Sequence, residues 1–183
     1  SDFRSIMFSK EFDLNKLMYL NFNVNTNTSV RASLESIYKN EQWSYFENNV
    51  LTLEDYSKKL KEFKFVLCPQ GNGIDTHRIW EALYSGAIPI VQKHTSHKNL
   101  DGLPILFLDD LRNISKEKLT SYLKKIKYED FDFNKLTCSY WLNIMRSKLD
   151  EDDSIENIIK VNNLSDSWFV FKFKIIGRYK SKL

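Results

Sequence analysis

Residues 65–91 constrain the fold more than any other part of the chain, because they predict a complete strand, turn, helix and strand. An apolar run at 65–68 is typical of a buried strand, and the glycine-rich cluster 71–73 after it indicates a turn. Asp75 or Thr76 is a good N-cap for a helix that ends at a glycine. A second apolar run then completes a βαβ unit, so we expect a parallel sheet.

The predicted helix has an apolar body and gathers its polar residues at its N-terminal end. Free backbone N–H groups and the positive end of the helix dipole favour an anion such as phosphate there. Gly71 and Gly73 would let a ligand approach the main chain closely. Arg78 can donate two parallel hydrogen bonds to phosphate oxygens, and Glu81 could accept hydrogen bonds from a ribose diol.

Two simpler interpretations of this stretch stay open. Strand, glycine loop and helix occur together in many α/β folds, and Arg78 and Glu81, three residues apart, could form an ordinary helix ion pair of little energetic value. The spacing excludes two nucleotide-binding motifs. G-N-G lacks the third glycine of the dinucleotide fingerprint, and no Gly-Lys-Ser/Thr of a P-loop follows.

The sequence CPQGNGIDTHRIWEALYSGAIPIV at 68–91 resembles the donor-site signature of exostosin-like and related glycosyltransferases of the GT-B type. Those families carry a proline and glycine turn, an arginine, a glutamate in an E-A-L triplet and a G-x-I-P-I/V strand. In segment order the resemblance extends over residues 16–108. It implies a nucleotide-sugar donor, with Arg78 near the diphosphate and Glu81 on the nucleotide ribose. Further donor contacts are then expected at Gly71, Asn72, Gly73, Asp75, Thr76 and His77.

Strands alternating with helices, together with this resemblance, predict an α/β fold: a three-layer Rossmann-like domain with a mainly parallel sheet. The domain is expected at residues 16–149, with a linker or edge segment at 1–15 and a C-terminal extension at 150–183 packing on or beside it. A GT-B enzyme has two such domains, and this chain has room for only the second. Because proline is unusual in central strands, Pro89 is expected near a sheet edge or at a strand end facing the ligand.

Two further loops are candidates for donor contacts. In the resembled families the polar loop after the first strand faces the cleft, which makes Thr26, Asn27 and Arg31 candidates. Arg31 would act with Arg78 as a second catalytic cation. Each of the three residues also fits an ordinary loop or helix start. Lys93 follows the last strand of the βαβ unit and would meet a phosphate or a sugar hydroxyl, or be solvated.

Two residue pairs raise the question of a metal ion, and neither favours one. His94 and His97 have no acidic or thiol partner close in sequence, so they are interpreted as loosely held loop histidines. Asp109 and Asp110 end a predicted strand, where such a pair more often serves a turn or cap than a metal or general base. We therefore expect no metal and no cofactor, with transfer driven by electrostatic stabilisation of the diphosphate leaving group.

The expected function is that of a glycosyltransferase donor domain. It would move a hexosyl or pentosyl group from a nucleotide-diphosphate sugar to a glycan or lipid-linked acceptor, with a second, acceptor-binding domain as partner. The alternative is a non-catalytic module that binds a nucleotide or nucleotide sugar and needs a partner domain. Nucleic acid is not expected, since 27 Lys and Arg against 24 Asp and Glu give a net charge of only +3.

A cytoplasmic protein is expected, because Cys68 and Cys138 form no CxxC pattern and residues near the N-terminus show no apolar signal region. Residues 168–183 alternate apolar residues with lysine. This pattern fits a lysine-guarded edge strand or a docking surface for a partner domain better than a peripheral contact with an anionic membrane surface, which stays open.

Overall fold

A computed structural model describes residues 13–150, apart from the side chains of Tyr128 and of residues 148–150. The chain separates into two compact units, with the boundary between Leu136 and Thr137. The linker expected at 1–15, the extension expected at 150–183 and the basic stretch 168–183 fall almost wholly outside the described residues and stay predictions.

The first unit is built on a five-stranded sheet whose described strands all pair in parallel. Along the sheet the strands follow the order β2-β1-β3-β4-β5, which is one of the two common orders of doubly wound α/β folds. The predicted α/β class with a parallel sheet is therefore confirmed. The strands are β1 (Met18–Leu20), β2 (Ser44–Phe46), β3 (Phe65–Leu67), β4 (Ile88–Gln92) and β5 (Leu106–Leu108).

Helices connect the strands, and their ends follow local sequence signals. Thr52 caps the second helix, since its hydroxyl accepts a hydrogen bond from the Asp55 backbone N–H at 3.1 Å. Gly86 follows the third helix with a φ of 75°, a value that suits glycine. The helices of this unit are α1 (Thr28–Tyr38), α2 (Leu53–Leu60), α3 (His77–Tyr84) and α4 (Lys116–Lys125). The described part of the second unit contains α5 (Cys138–Asp150).

Successive strand side chains point to opposite faces of the sheet, and helices cover both faces. Met18 and Leu20 of β1 join the main apolar core together with Leu34 of α1 and Leu119 of α4. Tyr19, between them, belongs to the other face, where its ring lies 6.5 Å from the ring of Tyr56 on α2. These two covered faces make the three layers that were predicted.

Pro89 lies in an interior strand, which corrects one part of the prediction. It is the second residue of β4, at the end of the strand away from the expected ligand edge. The preceding Ile88 donates its N–H to Lys64 on the β3 side at 2.8 Å, so the Pro89 nitrogen faces the β5 side. Because β5 begins pairing only opposite Ile90, proline removes no hydrogen bond from the ladder.

Candidate functional site

The strand order places a crevice at the carboxyl ends of β1 and β3. The chain continues from β1 to β2 on one side of the sheet and from β3 to β4 on the other. Loops that leave adjacent parallel strands in opposite directions open a crevice between them, where doubly wound folds bind ligands. Here the loop 21–27 and the loop 68–76 flank that crevice.

Arg31 ties the two loops together. Its side chain is only 5% exposed, and three of its nitrogens donate to backbone carbonyls. Nη1 bonds Asn23 at 2.9 Å, Nε bonds Gln70 at 3.0 Å and Nη2 bonds Pro69 at 3.3 Å. The guanidinium also lies over the ring of Phe22, 5.6 Å from its centre. We therefore interpret Arg31 as the residue that holds the loops in place rather than as one directed at a ligand.

Gly71 sits where these groups meet, next to Thr26, Asn27 and Arg31. Asn27 donates its side-chain amide to the Gly71 carbonyl at 3.2 Å. A Cβ added to Gly71 would lie 2.9 Å from Nη2 of Arg31 and 3.5 Å from a methyl of Thr26. The sequence-predicted residues of both loops are thus brought together, and the absence of a side chain at Gly71 allows the close packing.

Gly71→Ala is expected to lower the free energy of unfolding by about 1–2 kcal/mol, because the new methyl displaces a guanidinium that is fixed by three carbonyls. Gly73→Ala is the matched control, since its nearest neighbour would be the Asp75 carbonyl at 3.9 Å. Urea unfolding of both variants measures the effect. Equal urea midpoints for the two variants would show that the Arg31 side chain can move aside without lowering the free energy of unfolding.

Arg78 is a cation of the site that forms no ion pair with the described residues. It lies in the first turn of α3, half-buried, and its Nε is buried without a hydrogen-bond partner among the described residues. The neighbouring Thr76 hydroxyl, at the N-cap of the same helix, is likewise buried and unpaired there. Two unpaired polar groups beside the first turn of a helix form an arrangement that can accept an anion.

The electrostatics of the crevice support this interpretation. Burial lowers the pKa of Arg31, and the nearby positive charge of Arg78 lowers it further. Neither group forms an ion pair with a carboxylate within residues 13–150. Two neighbouring positive charges without a protein counter-ion make the crevice attractive to an anion.

Glu81 does not form the helix ion pair that the sequence left open. Its Oε2 instead accepts a hydrogen bond from the hydroxyl of Tyr56 on α2 at 2.9 Å. Burial raises the pKa of Tyr56 above its ordinary value, and the negative charge of Glu81 raises it further. Tyr56 therefore remains a hydrogen-bond donor at neutral pH.

The other predicted donor contacts divide into two groups. Asn72, Gly73, Asp75 and His77 are exposed around the start of α3. Lys93 is different, because its Nζ pairs with Asp109 at 3.1 Å beyond β4, on an exposed surface. Its expected contact with a ligand has no further support in this arrangement.

No group of three or more His, Cys, Asp or Glu side chains within the described residues could hold a metal ion. Asp110 pairs with Arg112 at 3.0 Å, and hydrogen bonds from Arg112 lower the pKa of Asp110. The interpretation of both histidines as loosely held is wrong for His97, which is 4% exposed and packs its ring 5.9 Å from that of Phe107. His94 is exposed, and its Nδ1 accepts from the Ser96 backbone.

Sequence reasoning missed two residues that shape this site. Neither Tyr56 nor Phe22 is among the donor contacts predicted from the sequence. The partner of Tyr56 lies 25 residues away in sequence, on another helix. The spacing of residues along the sequence does not predict such a contact. A tyrosine on the inner face of a helix does, however, imply a hydrogen-bond partner for its hydroxyl.

Residues 22–105 match the family model described as the RXYLT1 C-terminal domain, of the exostosin-like glycosyltransferases. The matched segment is a little under half of the chain and contains both loops of the crevice, with Arg31, Arg78 and Glu81. The predicted relationship to exostosin-like glycosyltransferases is therefore confirmed for this segment. No curated protein matches the chain. Within residues 13–150, no helix is both long and apolar enough to cross a membrane.

Proposed function

We propose, on the premise that residues 22–105 are related to exostosin-like glycosyltransferases, that this chain is the nucleotide-sugar-binding half of a GT-B enzyme. The donor diphosphate would lie at the start of α3 against Arg78, and the nucleotide ribose would face Glu81. The sugar, of hexosyl or pentosyl type, would pass to a glycan or lipid-linked acceptor held by a second domain. A cytoplasmic location, with or without contact with a membrane surface, belongs to the same proposal.

One observation carries this proposal: the Nε of Arg78 is buried beside the glycine loop and has no hydrogen-bond partner within residues 13–150. A buried donor without an acceptor costs about 1–3 kcal/mol, so proteins rarely keep one unless something outside the fold pairs with it. Diphosphate oxygens fit this requirement, because a guanidinium binds them in a bidentate way. The open surroundings of Gly73 leave space for such a group close to the backbone.

The chemistry follows from where charge develops during sugar transfer. As the bond from the sugar to the diphosphate breaks, negative charge grows on the leaving phosphate oxygens. Arg78 and the positive end of the α3 dipole would stabilise this charge without reorganising, which is the efficient form of electrostatic catalysis. Arg31 would contribute indirectly, by fixing the loop that carries Gly71. In this proposal no divalent metal ion is needed at the diphosphate.

A thermal-shift panel tests donor binding. UDP, GDP, ADP and CMP are each added at millimolar concentration, with and without EDTA, and compared with the corresponding nucleosides. A ligand that binds the folded state raises the melting temperature by mass action. We expect one nucleoside diphosphate to raise it, EDTA to leave the shift unchanged, and the nucleoside without phosphates to have little effect. No shift with any diphosphate would contradict a competent donor site in this chain.

The same ligand then separates an enzyme from a binding module. The nucleotide sugar with the selected base is incubated with the chain, and released nucleoside diphosphate is measured with and without candidate glycan acceptors. Release that depends on the chain and on an acceptor supports the enzyme. Binding without release supports the non-catalytic module that requires a partner domain.

A further inference from the structure

We propose that Tyr56 positions the Glu81 carboxylate for the ribose of the nucleotide, and so sets the preference for ribose over deoxyribose. The inference rests on the proposed function, since it concerns the same donor site. It assigns to α2 a role in ligand recognition that its local sequence does not predict. Tyr56 acts through Glu81 and is a positioning residue.

The geometry comes from one hydrogen bond between two helices. Tyr56 is half-buried on α2, and its hydroxyl donates to Oε2 of Glu81 on α3 at 2.9 Å. Its ring is fixed in turn by the ring of Tyr19, 6.5 Å away on the central strand β1. A donor held by a packed ring fixes the carboxylate more firmly than a flexible side chain would.

The same bond leaves Glu81 able to bind a ligand. Only one carboxylate oxygen is used, and the other, Oε1, has no hydrogen-bond partner among the described residues. Glu81 also forms no ion pair with Arg78, one turn earlier on the same helix. An ionised carboxylate with a free oxygen is acceptor-only, which suits hydroxyl donors such as the 2′ and 3′ groups of ribose.

The protonation state of Tyr56 makes this arrangement constant over the neutral pH range. Burial and the adjacent Glu81 carboxylate both raise the pKa of Tyr56, so the hydroxyl keeps its proton and continues to donate. A tyrosinate would repel the carboxylate instead. The Tyr56 hydroxyl is therefore expected to donate to Glu81 throughout the neutral pH range.

The test compares Tyr56→Phe with the unchanged protein, using two ligands. One is the nucleoside diphosphate selected by the thermal-shift panel, and the other is its 2′,3′-dideoxy form. Removing the hydroxyl of Tyr56 is expected to weaken ribose-ligand binding about fivefold, a typical loss for one hydrogen bond, and to leave dideoxy-ligand binding unchanged. Isothermal titration of both ligands measures the ribose preference as a ratio of dissociation constants.

The matched control is Tyr45→Phe. Tyr45 belongs to the same aromatic cluster, with its ring 6.2 Å from that of Tyr19, but its hydroxyl makes no hydrogen bond to the described residues. It should retain the full ribose preference. A merely structural role for Tyr56 would lower the melting temperature of Tyr56→Phe and leave the ribose preference intact, and that result would overturn the inference.

A second variant covers the case in which Tyr56→Phe does not fold. Glu81→Asp shortens the side chain by one methylene, so that its carboxylate cannot reach both the Tyr56 hydroxyl and the ribose. It should lose the ribose preference as well, and an unchanged preference would contradict the inference. If the unchanged protein bound both ligands with equal affinity, the inference about Tyr56 would also be overturned, but the proposed donor site would not be contradicted. No binding of either ligand would instead contradict the proposed function.

Discussion

Arg78→Met should weaken binding of the selected nucleoside diphosphate at least thirtyfold and leave the folded protein no less stable. The loss corresponds to about 2 kcal/mol, the contribution of a charge-assisted hydrogen-bond pair to phosphate. Methionine keeps much of the side-chain volume and removes the buried Nε that has no partner among the described residues. Because an unpaired buried donor is removed with the charge, stability should be unchanged or higher. Isothermal titration and urea unfolding measure the two quantities.

Two further variants test whether the expected loss of binding comes from the guanidinium of Arg78. Arg78→Lys keeps the charge and loses the bidentate hydrogen bonding. Its affinity for the nucleoside diphosphate should therefore lie between that of Arg78→Met and that of the unchanged protein. Arg112→Met removes an exposed arginine that pairs with Asp110 away from the crevice, and it should leave binding unchanged. Equal affinities for Arg78→Met and the unchanged protein would place the diphosphate elsewhere.

Arg31→Met should have the opposite signature, a loss of stability of about 3 kcal/mol. The substitution removes three hydrogen bonds from a guanidinium that is 5% exposed and leaves the carbonyls of Asn23, Pro69 and Gln70 without that donor. A buried acceptor without a partner costs about 1–3 kcal/mol, and the bond to Pro69 is the buried one of the three. The bonds to Asn23 and Gln70 are part-buried, so water can partly replace the lost donor there. Urea unfolding measures the change, and Arg112→Met serves again as the exposed control.

The pair of arginine variants also decides how Arg31 contributes to binding. If Arg31 only holds the loops, its loss should weaken nucleotide binding in proportion to the damage to folding, and high ligand concentration should partly restore the melting temperature. If Arg31→Met instead keeps full stability and loses binding, Arg31 contacts the ligand directly, as the sequence-based interpretation had it.

The βαβ unit shows which structural features the local sequence is enough to predict. The predicted strands and helix of residues 65–91 are present. Thr52 caps α2 through the backbone N–H of Asp55, only three residues later in the chain. These features depend on residues within one turn or one strand of each other, which is why the order of residues is enough to predict them.

His97 and Pro89 show where the same reasoning fails. The sequence placed His97 on a loosely held loop, but the ring is buried against Phe107 of β5. Pro89 was expected at an edge or at the ligand end of its strand. It is tolerated in an interior strand because β5 begins pairing one residue later. The burial of His97 and the tolerance of Pro89 both depend on the neighbouring strand β5, and the local sequence does not predict the register of that strand.

The sequence by itself determined the α/β fold, the glycine turn before α3 and the presence of Arg31, Arg78 and Glu81 near one edge of the sheet. Only the tertiary structure decided which of these charges are free. Arg31 is bound to carbonyls up to 39 residues away, and Glu81 is held by a hydroxyl from another helix, whereas Arg78 has no protein counter-ion in the described part of the chain. Pairing depends on distances in space, and those are fixed when the loops and helices pack together.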